Sequence, residues 1–490
     1  MAAKEFIVAI ELGSSKITGI AGKKSMDGSL QVLAVVREDA TSCIRKGVVY
    51  NIDKTSACLT NIIKKLKTLL KSEISQVYVG VGGQSIRSIR NSSVKKLPED
   101  TIISQDIINE LMDNNRSTAY PDLEILDAAT QEYKVGTQYQ IDPVGIQSDK
   151  IEGNFLNIVC RKAFYRNLNK CFENANISIA EMYLAPIALA HSVLTDTEKR
   201  SGCMLVDLGA DTTTVSVYYK NILRQLSVIP LGGNNITKDI ASLQMEEAQA
   251  EEMKLKYASA VTDNEEIDTD KTLPIDSERS VPFQTFVELV EARLTEIIQN
   301  AWNQVPPEYN DKLLGGIILT GGGSKMKDIK KAFASITGIQ KIRIAGSVTQ
   351  KVTSTDKDVN ARDGVMNTAL GLLAKGDMNC AGSTINPSTD LFDTDGRTSS
   401  TPADIQTTRT RKPGDQGVVM TPAEKQRLEE DRRRREAEAR VEAERLEEER
   451  RRSEEQADRN KGGWLSRSLK NLTEFGKKLI SEENEDNDRR

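Results

Sequence analysis

Apolar and polar positions alternate regularly from residue 1 to about residue 380. Short apolar runs, many of them β-branched, lead into Gly-bearing turns, and longer stretches of mixed character separate the runs. Runs bounded by turn residues predict strands, and the longer stretches predict helices. Strands that alternate with helices favour an α/β fold.

One strand–turn–strand pattern occurs twice. The segment VAIELGSSKITGI begins at Val8, and MLVDLGADTTTVSV begins at Met204. Their alignment places Glu11 with Asp207 and Gly13 with Gly209. A glycine-led turn leaves backbone N–H groups able to point at an anion. Two copies predict two similar lobes, each presenting a phosphate loop to one cleft.

A third glycine cluster follows another apolar run. Residues 315–319 predict a strand, and Thr320-Gly321-Gly322-Gly323-Ser324 comes directly after it, ahead of a predicted helix. Glycine at these positions allows the backbone to approach a flat ring or a ribose closely. The sequence has no GxxxxGK[ST], and no GxGxxG opens a helix after a strand. P-loop and Rossmann dinucleotide sites are therefore excluded.

Composition narrows the functional classes further. The 490 residues carry 67 Lys and Arg against 72 Asp and Glu, so the net charge of −5 gives no reason to expect nucleic-acid binding. Six scattered Cys without a CxxC pair and a single His argue against zinc, disulfide and Ser–His chemistry. No apolar window is long enough to span a bilayer, and the start lacks a secretory signal pattern. A reducing cytoplasm is the expected compartment.

The last 110 residues have a different composition. Residues 381–421 are rich in Ser, Thr, Asp, Gly and Pro, which predicts a flexible linker. Residues 422–459 contain 14 acidic and 12 basic residues with many i,i+4 pairs of opposite charge, such as Glu448 and Arg452, which predicts a solvated charged helix. A coiled coil is the less supported alternative, because the few apolar residues form no heptad seam.

Residues 463–480 have the pattern of an amphipathic helix. One face carries Trp464, Leu465, Leu469, Leu472, Phe475, Leu479 and Ile480, and the remaining face carries Arg467, Lys470, Lys477 and Lys478. This arrangement suits a helix that lies in the headgroup layer of an anionic membrane. Docking on a protein partner is the alternative.

These motifs resemble those of the actin, heat-shock-70 and sugar-kinase superfamily. Residues 181–194 and 361–374 look like the two helices that connect its lobes, and PLGGNNITKDIA with AEEMKLKY look like bacterial members. Within the superfamily, the chain looks specifically like the FtsA family of bacterial cell-division proteins. Three features carry this resemblance: an insertion of roughly 80 residues that runs from the VYVGVGGQSIRS motif through the DPVGIQSDKIEGNFLNIVC motif, the PLGG-to-AEEMKLKY run and the amphipathic C-terminus. The resemblance implies an actin-like two-lobed ATPase fold with lobe 1 (1–82 and 163–200), an inserted 1C-like, SHS2-type subdomain (83–162), lobe 2 (201–380), the linker (381–421), the charged segment (422–459) and a membrane-targeting helix with an acidic tail (460–490).

The resemblance also implies a site for ATP and Mg²⁺. The phosphates are expected at Gly13, Ser14, Ser15, Lys16, Gly209, Thr212 and Thr213, and the adenosine at Glu251, Lys254, Gly321, Gly322 and Gly323. Glu11 and Asp207 are expected to hold Mg²⁺, mostly through water. Family members usually have Asp where this chain has Glu11. Filament-forming relatives often have Glu before the connecting-helix Pro186, where this chain has Ala185, so slow or absent hydrolysis is expected.

The implied function is a scaffold at the division septum, on the cytoplasmic face of the inner membrane. It would anchor FtsZ filaments to the membrane, recruit later divisome proteins and self-associate into actin-like filaments. A basic stretch contains Lys325, Lys327, Lys330, Lys331, Lys341 and Arg343. The FtsZ tail is expected on this basic surface, at Lys327, Lys330 and Lys331, and anionic lipid at the amphipathic helix. The alternatives are a type IV pilus assembly protein related to FtsA, a sugar or acid kinase, and a chaperone ATPase. The tail argues against the first and third, and no catalytic Asp could be assigned for the second.

Overall fold

A computed structural model describes residues 5–263, 270–382 and 417–420, together with individual residues between 426 and 452. Residues 1–421 belong to one compact unit and residues 422–490 to a second. The described residues of the second unit are helical, and Arg452 lies 2.9 Å from Glu448 as the i,i+4 spacing predicts. The predicted membrane-targeting helix in residues 460–490 lies outside the described residues.

The elements of the first unit follow the alternation seen in the sequence. The strands are β1 (Ile7–Leu12), β2 (Lys16–Lys24), β3 (Leu30–Asp39), β4 (Ile44–Arg45), β5 (Val48–Val49), β6 (Val77–Val81), β7 (Arg87–Lys96), β8 (Leu123–Val135), β9 (Gln138–Gln140), β10 (Lys150–Arg161), β11 (Ile179–Leu184), β12 (Cys203–Leu208), β13 (Thr213–Tyr219), β14 (Ile222–Ile229), β15 (Thr272–Pro274), β16 (Ser280–Pro282), β17 (Gly316–Thr320), β18 (Ile342–Ile344) and β19 (Val352–Thr353). The α-helices are α1 (Ile52–Leu70), α2 (Gln105–Arg116), α3 (Lys162–Asn174), α4 (Ala185–Val193), α5 (Asp196–Ser201), α6 (Gly233–Ala241), α7 (Glu247–Tyr257), α8 (Phe283–Trp302), α9 (Ile329–Thr337), α10 (Lys357–Ala361) and α11 (Asn367–Lys375).

Two sheets repeat one topology. The lobe 1 sheet has the order β11-β6-β1-β2-β3-β19, and the lobe 2 strands run β18-β17-β12-β13-β14. In lobe 1, β1 pairs antiparallel with β2 and parallel with β6. In lobe 2, β12 pairs in the same way with β13 and β17. The first strand of each lobe is almost entirely buried, because both of its faces are covered by the core. The two-lobed α/β fold predicted from the sequence is therefore confirmed.

The insert continues the lobe 2 sheet. Strands β7, β10, β8 and β9 extend it through a single paired position, Ser227 opposite Arg87. Helix α2 packs on this part of the sheet and is capped by Ser104, whose hydroxyl accepts a hydrogen bond from the Ile107 amide. A separate small core around Leu111 and Phe155 makes the insert a structural module of its own.

The linker prediction needs one correction. Residues 417–420 fall inside the predicted flexible stretch 381–421, yet Val418, Val419 and Met420 are 8%, 1% and 7% exposed. They lie along β11, with Val418 opposite Tyr183. Burial of three consecutive apolar side chains stabilises this short segment, whereas the polar residues beside it in the sequence would not hold it in place. Within the part of the chain described here, no helix is both long and apolar enough to cross a membrane.

Candidate functional site

The two sequence repeats form two nearly identical hairpin turns. The Gly13 amide donates to the Lys16 carbonyl at 3.0 Å, and the Gly209 amide donates to the Thr212 carbonyl at 2.9 Å. A Cβ on Gly13 or Gly209 would lie 2.7 or 2.8 Å from that same carbonyl oxygen. Both turns therefore require glycine at the first position, and the similar sequence motifs indicate a similar backbone. The Ser15 and Lys16 side chains are exposed, and those of Ser14 and Thr212 are half-buried.

Each of the paired acids lies two residues before the glycine that begins its turn. Glu11 lies opposite Thr18 in its hairpin, and Asp207 lies opposite Thr214 in the other. Burial raises the pKa of Glu11 to about 8, with a further contribution from the charge of Asp207, while a hydrogen bond with Thr368 lowers it. Burial also raises the pKa of Asp207 to about 6. Two carboxylates that resist ionisation together can be neutralised by a cation between them.

The glycine cluster after β17 packs closely against Asp207. Gly321 has φ +82°, and a Cβ there would lie 2.3 Å from Asp207 Oδ1. Gly322, the next residue, has no atom within 4 Å of its Cβ position. Asn367 at the start of α11 fixes the strand end, because its amide donates to the Thr320 hydroxyl at 3.0 Å and to the Ala345 carbonyl at 2.6 Å. The cluster thus has one face packed against the acid and one face open.

Glu251 and Lys254 join α7 to α6. Lys254 Nζ lies 2.6 Å from Glu251 Oε2 and donates to the Thr237 hydroxyl at 2.8 Å and to the Gly233 carbonyl at 3.1 Å. Its side chain is only 10% exposed, so the pair is a packed bridge and not a solvated surface pair. The bridge adjoins the second hairpin through Gly233, whose carbonyl accepts from Lys254 and whose amide donates to the Gly209 carbonyl at 3.0 Å. Predicted adenosine residues and the second hairpin are therefore neighbours.

A loop between the lobes was missed by the sequence reasoning. The Lys46 amide donates to Asp211 Oδ2 at 3.0 Å, and the Gly47 amide donates to Ser14 Oγ at 2.8 Å. Asp211 also accepts from the Asn234 side chain at 2.7 Å. Residues 46 and 47 thus connect the first hairpin to the second. The acid at position 211, inside an otherwise uncharged turn, was the available signal.

The predicted basic surface is divided by the structure. Arg343 is not available to a peptide, because its guanidinium contacts both Glu198 oxygens at 2.6 and 2.8 Å and the Val193 carbonyl at 2.7 Å. Lys325 pairs with Asp363 at 3.0 Å. Lys327, Lys330 and Lys331 are exposed on or next to α9, and Lys331 lies 3.0 Å from Asp328. The three lysines predicted to bind the peptide are therefore exposed, at or just before the start of α9.

The predicted lipid-contacting residues lie outside the described residues. They are Trp464, Leu465, Leu469, Leu472, Phe475, Leu479, Lys470 and Lys477.

Two lobes with matched glycine hairpins around one pair of acids define a protein of the actin-like class. A family model described as "Cell division protein FtsA" matches residues 204–371, and one described as "SHS2 domain inserted in FTSA" matches residues 83–159. The chain belongs to the FtsA family of cell-division proteins.

Individual relatives agree with this assignment. A "Cell division protein FtsA" of Porphyromonas gingivalis is 34% identical over 337 residues, which is 67% of this chain and 70% of the relative. The protein of the same description from Escherichia coli K12 is 26% identical over 393 residues, covering 76% and 90%. A solved structure, "PilM-PilN type IV pilus biogenesis complex", aligns with a TM-score of 0.53 at 15% identity, over 75% of this chain and 97% of that one. This last likeness shows the fold alone. The curated relatives decide against the pilus-assembly alternative.

Proposed function

We propose that the chain is an ATP-binding scaffold of cell division that links FtsZ filaments to the membrane. The observation that carries the proposal is the pair of glycine hairpins with their acids, Glu11 and Asp207, beside the open face of Gly322. Two amide-rich turns suit the phosphates of a nucleotide, and an open glycine suits a flat base or a ribose. Family membership supports the cell-division role.

The acids fit a divalent cation. Burial raises the pKa of both acids, and the charge of Asp207 raises that of Glu11 further; a bound cation would favour the ionised form of each. Glu11 and Asp207 would hold Mg²⁺ mostly through water, with phosphates at Gly13, Ser14, Ser15, Lys16, Gly209, Thr212 and Thr213. Phosphate oxygens of the nucleotide would complete the coordination of this ion. Mg-ATP would supply the bridge that makes the two lobes bind one ligand.

A nucleotide experiment tests this proposal. Mg-ATP at about 100 times its Kd should stabilise the full chain by about 2.7 kcal/mol, because it binds only the folded state. Gly322→Asp should remove the shift in melting temperature, because it fills the open face and adds negative charge. Leu314→Asp, at a residue 73% exposed in the same lobe, is the matched control and should keep the shift. An unchanged wild-type melting temperature would refute nucleotide binding.

The chain should turn ATP over slowly. Ala185 starts α4 at the position before Pro186 where filament-forming members of the resembled superfamily often have Glu, and a methyl group can neither accept a proton nor orient water. ATP would then act as an assembly ligand that favours one lobe arrangement, including the self-association into filaments. A steady-state assay should give turnover far below about 10 per second. Turnover near that value would restore the kinase or ATPase interpretation.

The FtsZ tail is proposed to bind the surface formed by Lys327, Lys330 and Lys331. Three exposed lysines on or next to α9 suit the charge of an acidic peptide. The triple change to Glu should weaken binding of an FtsZ tail peptide at least tenfold. Changing the exposed Lys23, Lys24 and Lys71 of lobe 1 to Glu should leave binding unchanged.

Membrane attachment is proposed for residues 463–480. The apolar face, with Trp464 at one end, suits the acyl boundary, and Lys470 and Lys477 suit anionic phosphates. The full chain should sediment with vesicles that contain anionic lipid, less so in high salt. Leu472→Glu should abolish sedimentation, whereas Ser481→Glu, just beyond the apolar face, should not. Sedimentation that survives Leu472→Glu would make the helix a protein-docking element.

A further inference from the structure

The edge of the lobe 1 sheet is covered by a short segment from far along the chain. This segment, residues 417–420, is called the latch here. The Leu184 amide donates to the Gly417 carbonyl at 2.6 Å, and the Val419 amide donates to the Met182 carbonyl at 2.9 Å. Strand β11 ends the sheet order, so the latch pairs with backbone groups that would otherwise form an open edge. This is the geometry of a peptide bound by strand addition.

The groove also satisfies the ends of the latch. The Gly417 amide donates to Asp127 Oδ2 at 2.7 Å, and the Met420 amide donates to the Leu126 carbonyl at 3.2 Å. The Tyr165 hydroxyl donates to the Met420 carbonyl at 2.8 Å. Asp127 is 3% exposed, so its carboxylate loses a hydrogen bond in a buried place if the latch leaves. The groove therefore uses polar groups of the insert as well as of lobe 1.

The groove selects a sequence as well as a strand. Gly417 has φ +98°, and a Cβ there would lie 2.8 Å from Ile187 Cγ2 of α4. A side chain at this position is thus opposed by backbone conformation and by contact. Val418, Val419 and Met420 are all buried. Glycine followed by three apolar residues is the pattern that the site accepts.

We propose that the latch is a releasable anchor that fixes where the tail leaves the body of the protein. When it is docked, residues 417–420 are held between lobe 1 and the insert. When it is released, this attachment is lost and the edge of β11 becomes open. Release is feasible because the contact is only four residues long, within the size of peptide segments that bind reversibly by strand addition. The proposal concerns the chain's own tail, and it holds whether or not residues 463–480 bind lipid.

Hydrogen exchange on the full chain tests the anchor. Gly417→Val should undock the latch, so that the Leu184 amide exchanges at least tenfold faster than in wild type. Gly414→Val makes the same chemical change three residues earlier and should leave Leu184 protected. Should Gly417→Val not fold, Val419→Asp and its control at an exposed residue, Val441→Asp, give the same comparison. Equal protection of Leu184 in wild type and in the undocking variant overturns the proposal.

A peptide in trans tests whether the groove is vacated. A labelled synthetic peptide of residues 412–423 should bind the full-length Gly417→Val chain and not the wild type, whose groove is filled. Binding to both proteins with equal affinity overturns the proposal. Protection of wild-type Leu184 that falls on dilution also overturns it, because the occupant is then a second copy. Vesicle sedimentation that fails while these results hold would refute only the membrane proposal.

Discussion

The two lobes have the same arrangement of strands and differ in what covers the glycine turn that follows β6 in lobe 1 and β17 in lobe 2. In lobe 1, β6 runs parallel to β1 and leads to Gly82 and Gly83. In lobe 2, β17 runs parallel to β12 and leads to Gly321 and Gly322. Glu11 lies beside Gly80 in the first pair of strands, and Asp207 beside Thr320 in the second. The backbone is thus repeated down to the position of the acids.

The two lobes differ in the contacts that their glycine turns make. A Cβ on Gly83 would lie 2.6 Å from the Gly47 carbonyl, so the lobe 1 turn is closed by the loop that bridges to lobe 2. A Cβ on Gly321 would meet Asp207, while Gly322 faces open space. Lobe 1 uses its turn to hold the lobes and to start the insert, and lobe 2 uses its turn to leave room for a ligand. A repeated backbone can therefore carry two different tasks.

The largest expected effect separates neighbouring glycines in lobe 2. Gly321→Ala should lower the free energy of unfolding by about 2–4 kcal/mol, because positive φ and the contact with Asp207 both oppose a methyl group. Gly322→Ala should change it by less than about 0.5 kcal/mol. Urea denaturation of the full chain measures both.

The same pair of substitutions in lobe 1 extends this prediction. Gly83 has φ +139° and a close contact, whereas the nearest atom to a Cβ on Gly82 is 3.8 Å away. Gly83→Ala should therefore be costly and Gly82→Ala tolerated. If Gly83→Ala and Gly82→Ala destabilise equally, the lobe 1 turn is not closed in the way described.

Local repeats were predictable and contacts between distant segments were not. The acid-apolar-Gly pattern at Glu11 and Asp207 sets a hairpin by itself, so the sequence was enough to predict both turns. The pairing of Arg343 with Glu198 joins strands and helices about 150 positions apart, and no periodicity reports it. The latch had a weak signal, since Val418, Val419 and Met420 interrupt a polar tract. The structure explains this pattern, because the three side chains are buried along the edge of β11.

A pH experiment tests the acids that the two lobes share. The folded pKa values of about 8 for Glu11 and about 6 for Asp207 exceed the unfolded values of about 4. Between these limits the folded state holds protons that the unfolded chain has released, so the free energy of unfolding falls as pH rises. Without divalent cations, Glu11→Gln should gain about 2 kcal/mol relative to wild type between pH 5 and pH 6.5, because each pH unit in this window is worth about 1.4 kcal/mol.

The control for this prediction is an acid outside the pair. Glu252→Gln changes an exposed residue of α7 and should run parallel to wild type across the same pH range. Added Mg²⁺ should restore stability at pH 8 in wild type more than in Glu11→Gln. Parallel curves for wild type and Glu11→Gln would show that Glu11 ionises normally and that burial does not set the chemistry of the pair.

The smallest expected effect concerns the loop that joins the hairpins. Asp211→Ala removes the acceptor of the Lys46 amide, and Ser14→Ala removes the acceptor of the Gly47 amide. Each should lower the free energy of unfolding by about 1 kcal/mol, the usual net value of one hydrogen bond. Because adjacent amides of one loop are involved, losing either bond loosens the other, and the double variant should lose less than the sum. Ser335→Ala, which removes a hydroxyl bonded within α9, is the control for Ser14→Ala. Effects that add to within about 0.3 kcal/mol would mean that residues 46 and 47 respond separately. Each amide would then belong to its own hairpin, and the loop would not couple the two lobes.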